Sequence, residues 1–341
     1  MRSRWTTVIA AAAGAAGLAF IATAQQNASQ QNAAQQNAGQ QNAGQRNAEI
    51  QVLPVQGNIY LVTGAGGNIV VQAGEQGMVV VDTGLQQNSA KALAAIAKLS
   101  PKKIQYIINT HVHPDHTGGN DAFRQAGTTI AGANVTANLT DVKLGAQIWA
   151  QDNVLLRMSA PTGSQSPSPF GAWPTETYVS GRKQFSFNGE AIEIIHQPHA
   201  HTDGDSIVFF RRSDVIAAGD IFLTTTYPFI DLERGGGIQG EIDALNTIVE
   251  MAVPLRQEED GTYILPGHGR ICDRFDVVEY RDMVTIVRDR IQAWIKKGMT
   301  LDQIKAARPT LDYDARYGAK SGFGTADSFI EATYKSLTQK K

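Results

Sequence analysis

Residues 50–341 predict one layered α/β domain, on three observations. Short apolar runs of strand length recur between glycine-containing turns, and segments with apolar residues at helical spacing lie between and after them. No proline- or glycine-rich linker divides the stretch.

Taken in order, strands are expected over 58–63, 68–73 and 78–81. Residues 89–99 carry Ala, Leu and Ile at helical spacing and Pro101 stops them, which predicts a helix. A strand over 104–109 leads directly into a histidine-rich run. A helix is expected at 119–125, a strand at 129–131 and a longer helix from about 135 to 156. The stretch 157–174 is rich in Pro, Ser and Gly and reads as irregular. Strands resume over 184–187, 190–196, 206–210 and 215–218. The last third reads as helical over 240–253, 276–297, 300–307 and 325–338, interrupted by a strand over 262–265.

The segments before residue 50 are of another kind. Met1-Arg2-Ser3-Arg4 is a basic start, an apolar run rich in Ala and Gly follows from Val8, and Ala22-Thr23-Ala24 is a small-x-small cleavage pattern. Residues 1–24 are therefore expected to be a signal peptide, removed on export to the periplasm or beyond, leaving no stable membrane insertion. Residues 25–49 are five pentads, QQNAS, QQNAA, QQNAG, QQNAG and QRNAE, with no aromatic or large aliphatic residue. They cannot bury enough to offset chain entropy and are expected to be a disordered spacer.

Composition narrows the partners. The 341 residues hold 30 Lys plus Arg against 32 Asp plus Glu, with no basic stripe, which gives no pull toward nucleic acid. The single cysteine, Cys272, rules out an internal disulfide and is expected to be a small buried hydrophobe.

The chemistry concentrates in Asn109-Thr110-His111-Val112-His113-Pro114-Asp115-His116-Thr117-Gly118-Gly119. Alternate residues at a strand end point the same way, so His111 and His113 can present imidazoles to one ion. Asp115 and His116, where the chain turns toward a helix, can face a second position. Imidazole and carboxylate suit zinc, with iron or manganese also compatible. His201-Thr202, Asp220 in Ala217-Ala218-Gly219-Asp220, and His268 in Pro266-Gly267-His268-Gly269 each fall just past an expected strand.

Asp82-Thr83-Gly84, the HxHxDH run, His201-Thr202, Gly219-Asp220 and Pro266-Gly267-His268-Gly269 stand in the order of the five motifs of the metallo-β-lactamase superfamily, which residues 50–341 resemble. The resemblance implies an αββα sandwich with two metals in a cleft at one edge of the sheets. It implies that His111, His113 and His201 hold the first ion, that Asp115, His116 and His268 hold the second, and that Asp220 bridges. Asp82 would orient a ligand from behind. His199 competes with His201 as the ligand, and the His-Thr pairing favours His201, which leaves His199 as a supporting residue.

Two divalent ions about 3.5–4 Å apart can share a water and bring its pKa toward neutrality. The resemblance therefore implies a dinuclear zinc hydrolase that attacks an ester, lactone, thioester or β-lactam carbonyl of a small molecule with a metal-bound hydroxide. Asp115 and Asp220 would be its catalytic carboxylates. No Gly-x-Ser-x-Gly elbow is present. Asp at position 220 resembles the glyoxalase II and lactonase branches and counts against a true β-lactamase. The runs His201-Thr202-Asp203-Gly204-Asp205 and Tyr227-Pro228-Phe229-Ile230-Asp231 resemble exported hydrolases linked with quinoprotein systems. An iron-dependent enzyme like persulfide dioxygenase would need only one metal, and the presence of His116, Asp220 and His268 argues against it. A non-catalytic metal-binding partner in a periplasmic redox system ranks last. Phe170, Trp173, Tyr227 and Phe229 are candidate pocket walls, Arg182 and Arg234 candidate clamps for a substrate carboxylate, and Asp203 and Asp205 candidate loop caps.

Overall fold

The computed structural model describes residues 49–129, 145–161, 166–255 and 260–339. The expected signal peptide, all but the last residue of the pentad spacer, and 130–144 lie outside them. Twelve strands are described, forming two sheets. The first runs in sequence order through β1 (Gln51–Gln56), β2 (Ile59–Thr63), β3 (Ile69–Gly74), β4 (Gly77–Val81), β5 (Ile104–Ile108), β6 (Gln147–Gln151) and β7 (Glu176–Tyr178). Pairing is antiparallel up to β4 and parallel from β4 to β7. The second sheet has the order β12-β11-β10-β9-β8, built from β8 (Arg182–Phe187), β9 (Glu190–Gln197), β10 (Asp205–Phe210), β11 (Val215–Leu223) and β12 (Tyr263–His268). Only its β11–β12 pair is parallel.

Alternation along the strands builds the layers. Ile59, Leu61, Val79 and Val81 of the first sheet meet Val208, Phe210, Val215 and Ala217 of the second in a core between the sheets. Their neighbours Val62, Met78, Val80 and Ile107 turn outward against α1 (Ser89–Ile96) and, past the short α2 (Pro114–Thr117), α3 (Asn120–Ala126), where Ala92, Ile96 and Phe123 close a second core. Ile207, Phe209, Ile216 and Ala218 point the other way. They pack on helices that follow α4 (Asp152–Ser159), namely α5 (Ile238–Met251), α6 (Arg274–Lys296), α7 (Leu301–Ala307) and α9 (Ala326–Thr338), with the short α8 (Asp314–Tyr317) between the last two. Because both faces of each sheet are covered, the central strands read as continuous apolar runs. This is the expected αββα arrangement.

Several elements differ from expectation. β1 and β7 are strands that the sequence reading passed over, and the expected helix over 135–156 is replaced at its described end by β6 and then α4. Gln147-Ile-Trp-Ala-Gln151 is strand because Ile107 and Ile108 supply a parallel partner that local propensity cannot see. β11 continues to Leu223, so Asp220 lies inside a strand and not after one. The β11–β12 register shifts there, and Gly219 takes a left-handed φ of 55°. That kink turns Asp220 toward the edge of the sheets.

Cys272 is buried, donates to the Arg270 carbonyl at 3.3 Å, and has its thiol pushed up to about 12, chiefly by burial. Glu241, in the first turn of α5, is fully buried, and neither carboxyl oxygen has a hydrogen-bond partner among the described residues. Burial first, then Asp205 and Asp220, hold this carboxyl well above its ordinary 4.5. The unfolded chain ionises Glu241 near that ordinary value, so its cost to the fold grows as pH rises from there up to the raised value. Glu241→Met should therefore raise stability by about 1–3 kcal/mol, the cost of an unsatisfied buried polar group. Melting curves should show a larger gain at pH 8 than at pH 5, and a loss at both would contradict this account.

Candidate metal centre

One edge of the sandwich collects every motif residue. Asp82 follows β4, the HxHxDH run follows β5, His201 lies between β9 and β10, Asp220 is in the kinked β11, and His268 ends β12. Asp82 has φ 61°, a left-handed conformation that few residues besides glycine, asparagine and aspartate adopt. It aims the carboxylate back along the strand ends. Its Oδ1 accepts from the Thr110 N–H at 2.8 Å, and its Oδ2 from Thr110 Oγ1 and His116 Nδ1, each at 2.7 Å.

Each clustered histidine of the two short runs is similarly held by one ring nitrogen. His116 Nδ1 is on Asp82. His113 Nε2 donates to Asp231 Oδ2 at 2.9 Å, and His201 Nδ1 donates to the Phe229 carbonyl. His111 Nδ1 meets Thr110 Oγ1 at 3.0 Å, and that hydroxyl already donates to Asp82. These acceptors assign the tautomers and leave the other nitrogen of His111, His113 and His201 as a lone pair. These three lone pairs converge: His113 Nδ1 and His201 Nε2 face each other at 2.9 Å. The buried His111 Nε2 has no hydrogen-bond partner among the described residues. Lone pairs turned on one another repel, so this arrangement suits a cation between them.

The carboxylates complete two groups. His111, His113, His201 and Asp220 bring ligand atoms within 4.8 Å of one another, as do Asp115, His116 and His268. Asp220 Oδ2 stands 3.9 Å from both His111 Nε2 and His201 Nε2, whereas its Oδ1 stands 3.2 Å from His116 Nε2 and 3.6 Å from His268 Nε2. One oxygen thus faces each group. Asp115 Oδ2 lies 3.1 Å from His268 Nε2 at the more open side. A Cβ on Gly267 would run into Asp220 Oδ1, so this close approach needs glycine. Asp82 also lies beside His111 and His116, but both its oxygens are engaged, which places it behind the ligand atoms.

The electrostatics follow this division. Burial first, then the neighbouring His116 and His201, push His111 well below its ordinary range. Burial and His113 push His201 down to about 4. On the other side burial opposes charge on His116, but Asp220, Asp82 and Asp115 outweigh it and hold it well above the ordinary value. Burial would raise Asp115 and Asp220, and the imidazoles His116 and His268 hold both low instead. Here a proton meets the demand of the carboxylates for positive charge, and a metal ion would compete for the same place.

The structure also sorts the remaining expectations. His199 is exposed and bonds the Gly235 carbonyl at 2.9 Å, away from the clustered histidines, because φ of 57° turns the chain at that point. Tyr227 is no pocket wall: it is fully buried and its hydroxyl reaches the Thr310 carbonyl and Asp314. Trp173 packs beside Val112 and Ala172 with its N–H on the Ser168 carbonyl, and the exposed Phe170 lies against it. Phe229 does line the site, stacked on His113 at 5.7 Å between ring centres. Arg182 pairs with Glu193, and Arg234 with Asp231 at 2.6 Å, so neither is shown as a substrate clamp. Asp205 accepts from the Thr202 N–H and hydroxyl, which closes the His201 loop, and Asp203 holds Arg157.

Two supports were not read from the sequence. Asp231 closes the run that begins at Tyr227, and it fixes His113. Burial pushes its carboxyl up, and the bonds from His113 and Arg234 outweigh that and hold it low. Asn109 and Asn120 exchange side-chain hydrogen bonds of 3.0 and 2.8 Å behind the histidine run, and Thr83 joins them at 2.9 Å.

The metallo-beta-lactamase superfamily model matches residues 52–268, and the chain belongs to that superfamily. The linear primary-alkylsulfatase of Pseudomonas sp. (strain ATCC 19151) is 23% identical over an alignment of 251 residues that covers 63% of this chain and 44% of that protein. The stereoselective inverting sec-alkylsulfatase Pisa1 from Pseudomonas sp. superposes with a TM-score of 0.61 at 17% identity, over 85% of this chain and 50% of its own. A metallo-beta-lactamase from Pontibacter korlensis superposes at 0.52 with 13% identity, over 69% of this chain and 99% of its own. The chain thus spans about half the length of the alkylsulfatases it matches.

Proposed function

We propose that this chain is a metal-dependent hydrolase that cleaves an ester-type bond of a small molecule with two metal ions, zinc being the expected metal. The observation that carries this reading is Asp220, whose two carboxylate oxygens face the two histidine groups separately. Converging imidazole lone pairs and an unpartnered His111 Nε2 fit such ions. When bound, they supply Lewis acidity and an acidified water. His111, His113 and His201 would hold one ion, and Asp115, His116 and His268 the other. Asp82, Asp231, Thr110 and the Phe229 carbonyl keep the imidazoles turned inward. Asp115, on the open side, would orient the attacking water and receive its proton.

Esters, lactones, thioesters and β-lactams are the bonds that the sequence suggests. Sulfate esters are a second reading, favoured by the identity to a primary alkylsulfatase over 251 residues. Export with removal of residues 1–24 belongs to the same proposal, and cell fractionation with N-terminal sequencing tests it. The decisive experiment is metal quantification on purified protein, coupled to a panel of those five bond types. We expect about two ions per chain and turnover of at least one bond type. A protein that holds no metal, or that turns over none of the panel with both ions bound, would refute the reading.

A further inference from the structure

We propose that Phe323, with Phe229, forms the subsite that receives the apolar substituent of the substrate. The inference rests on the metal site proposed above and names what lies beside it. Phe229 stacks on His113 with an interplanar angle of 27°, and its ring centre is also 5.6 Å from that of His201. Phe323 continues the row, its ring centre 4.4 Å from that of Phe229. Phe323 is 63% exposed, so an aromatic surface runs from the imidazole edge of the site out to solvent.

The loop that carries Phe323 is fixed in place. Ala319 N–H donates to the Gly324 carbonyl at 3.1 Å and closes the loop on itself. Gly322 and Gly324 both take left-handed φ values, 75° and 80°. Gly324 sits against Thr226, where a Cβ would come within 2.8 Å of the Thr226 Cβ. The Tyr227 N–H donates to the Tyr317 carbonyl at 2.9 Å, which ties the chain before this loop to the segment after β11 that carries Phe229. The backbone therefore holds two aromatic rings side by side next to His113, and one of them is left largely in water. A substrate whose reacting atom sits at His113 and Asp220 would cover that surface with an alkyl or aryl group and gain by removing it from water. Phe323 lies beyond residue 268, where the superfamily match ends, so this subsite is contributed by the chain's own C-terminal segment.

The test compares methylphosphonate with octylphosphonate, two non-hydrolysable anions of one head group, by calorimetry on the metal-loaded protein. Wild type should prefer the octyl compound by at least about tenfold, and Phe323→Ala should lose about tenfold of that preference. Phe323→Leu, which returns apolar area, should recover part of it. Phe275→Ala, which removes an exposed phenylalanine from the start of α6, should leave the preference unchanged. A preference that survives Phe323→Ala, or is absent from wild type, overturns the subsite. If the preference behaves as expected but no ester-type bond is cut, the subsite stands and the hydrolase reading fails.

Discussion

Asp220→Ala is expected to lose metal and turnover together. The wild-type carboxylate offers one oxygen to His111 and His201 at 3.9 Å and the other to His116 and His268 at 3.2 and 3.6 Å. On the two-metal reading, removing it takes a ligand from both ions and a negative charge from between them. Loss of a partner behind the ligands typically costs 10–100-fold in metal affinity or activity, so loss of a shared ligand should cost more than about a hundredfold. Metal analysis should find at most one ion per chain. Asp220→Asn separates the two roles, since it keeps the shape but presents one acceptor oxygen and no charge. It should retain one ion at lowered affinity. Circular dichroism and melting curves guard against misfolding. Full turnover of Asp220→Ala with wild-type metal content would sink the two-metal reading.

How much of this was legible in the sequence depends on how local each feature is. The HxHxDH run was legible because its four polar residues lie close together in the chain just past a strand end, where such side chains can converge. The layers were legible because strands such as Met78–Val81 and Ser206–Phe210 are apolar on both faces, which implies cover on both. Asp231 was not legible in its role, since it meets His113 across 118 residues and only the folded loop after β11 brings them together. Phe323 escaped for the same reason, its partner Phe229 lying on a distant segment. β6 was misread because Gln147–Gln151 has no strand signal stronger than its helical one until β5 stands beside it. His199 was given a role by proximity to His201 in sequence, and a left-handed φ of 57° turns the chain between the two. Glu241 illustrates the opposite failure: its helix was expected, but nothing in the local pattern marks a carboxyl that is buried without a partner.

Asp82→Asn should weaken one ion more than the other, and by about 10–100-fold, the effect expected of a partner behind a metal ligand. Asp82 accepts three hydrogen bonds, from the Thr110 N–H, Thr110 Oγ1 and His116 Nδ1. Asparagine tolerates the left-handed backbone at this position, so the turn itself should survive. Its single carbonyl oxygen can keep the Thr110 N–H, but its NH2 group then points at His116 Nδ1. Two donors cannot share that contact. His116 would have to give up its Nδ1 proton and carry one on Nε2, the nitrogen now 3.2 Å from Asp220 and turned toward His268. A protonated Nε2 is no ligand, so the group of Asp115, His116 and His268 should lose affinity. His113 and His201 keep their own acceptors in Asp231 and Phe229, and only His111 is touched, through the Thr110 hydroxyl, so their ion should lose less. Competitive titration with a chelator should therefore resolve one strongly weakened ion and one affected less. Equal weakening of both would mean that Asp82 acts on the whole edge through the backbone of Thr110, and not through the tautomer of His116.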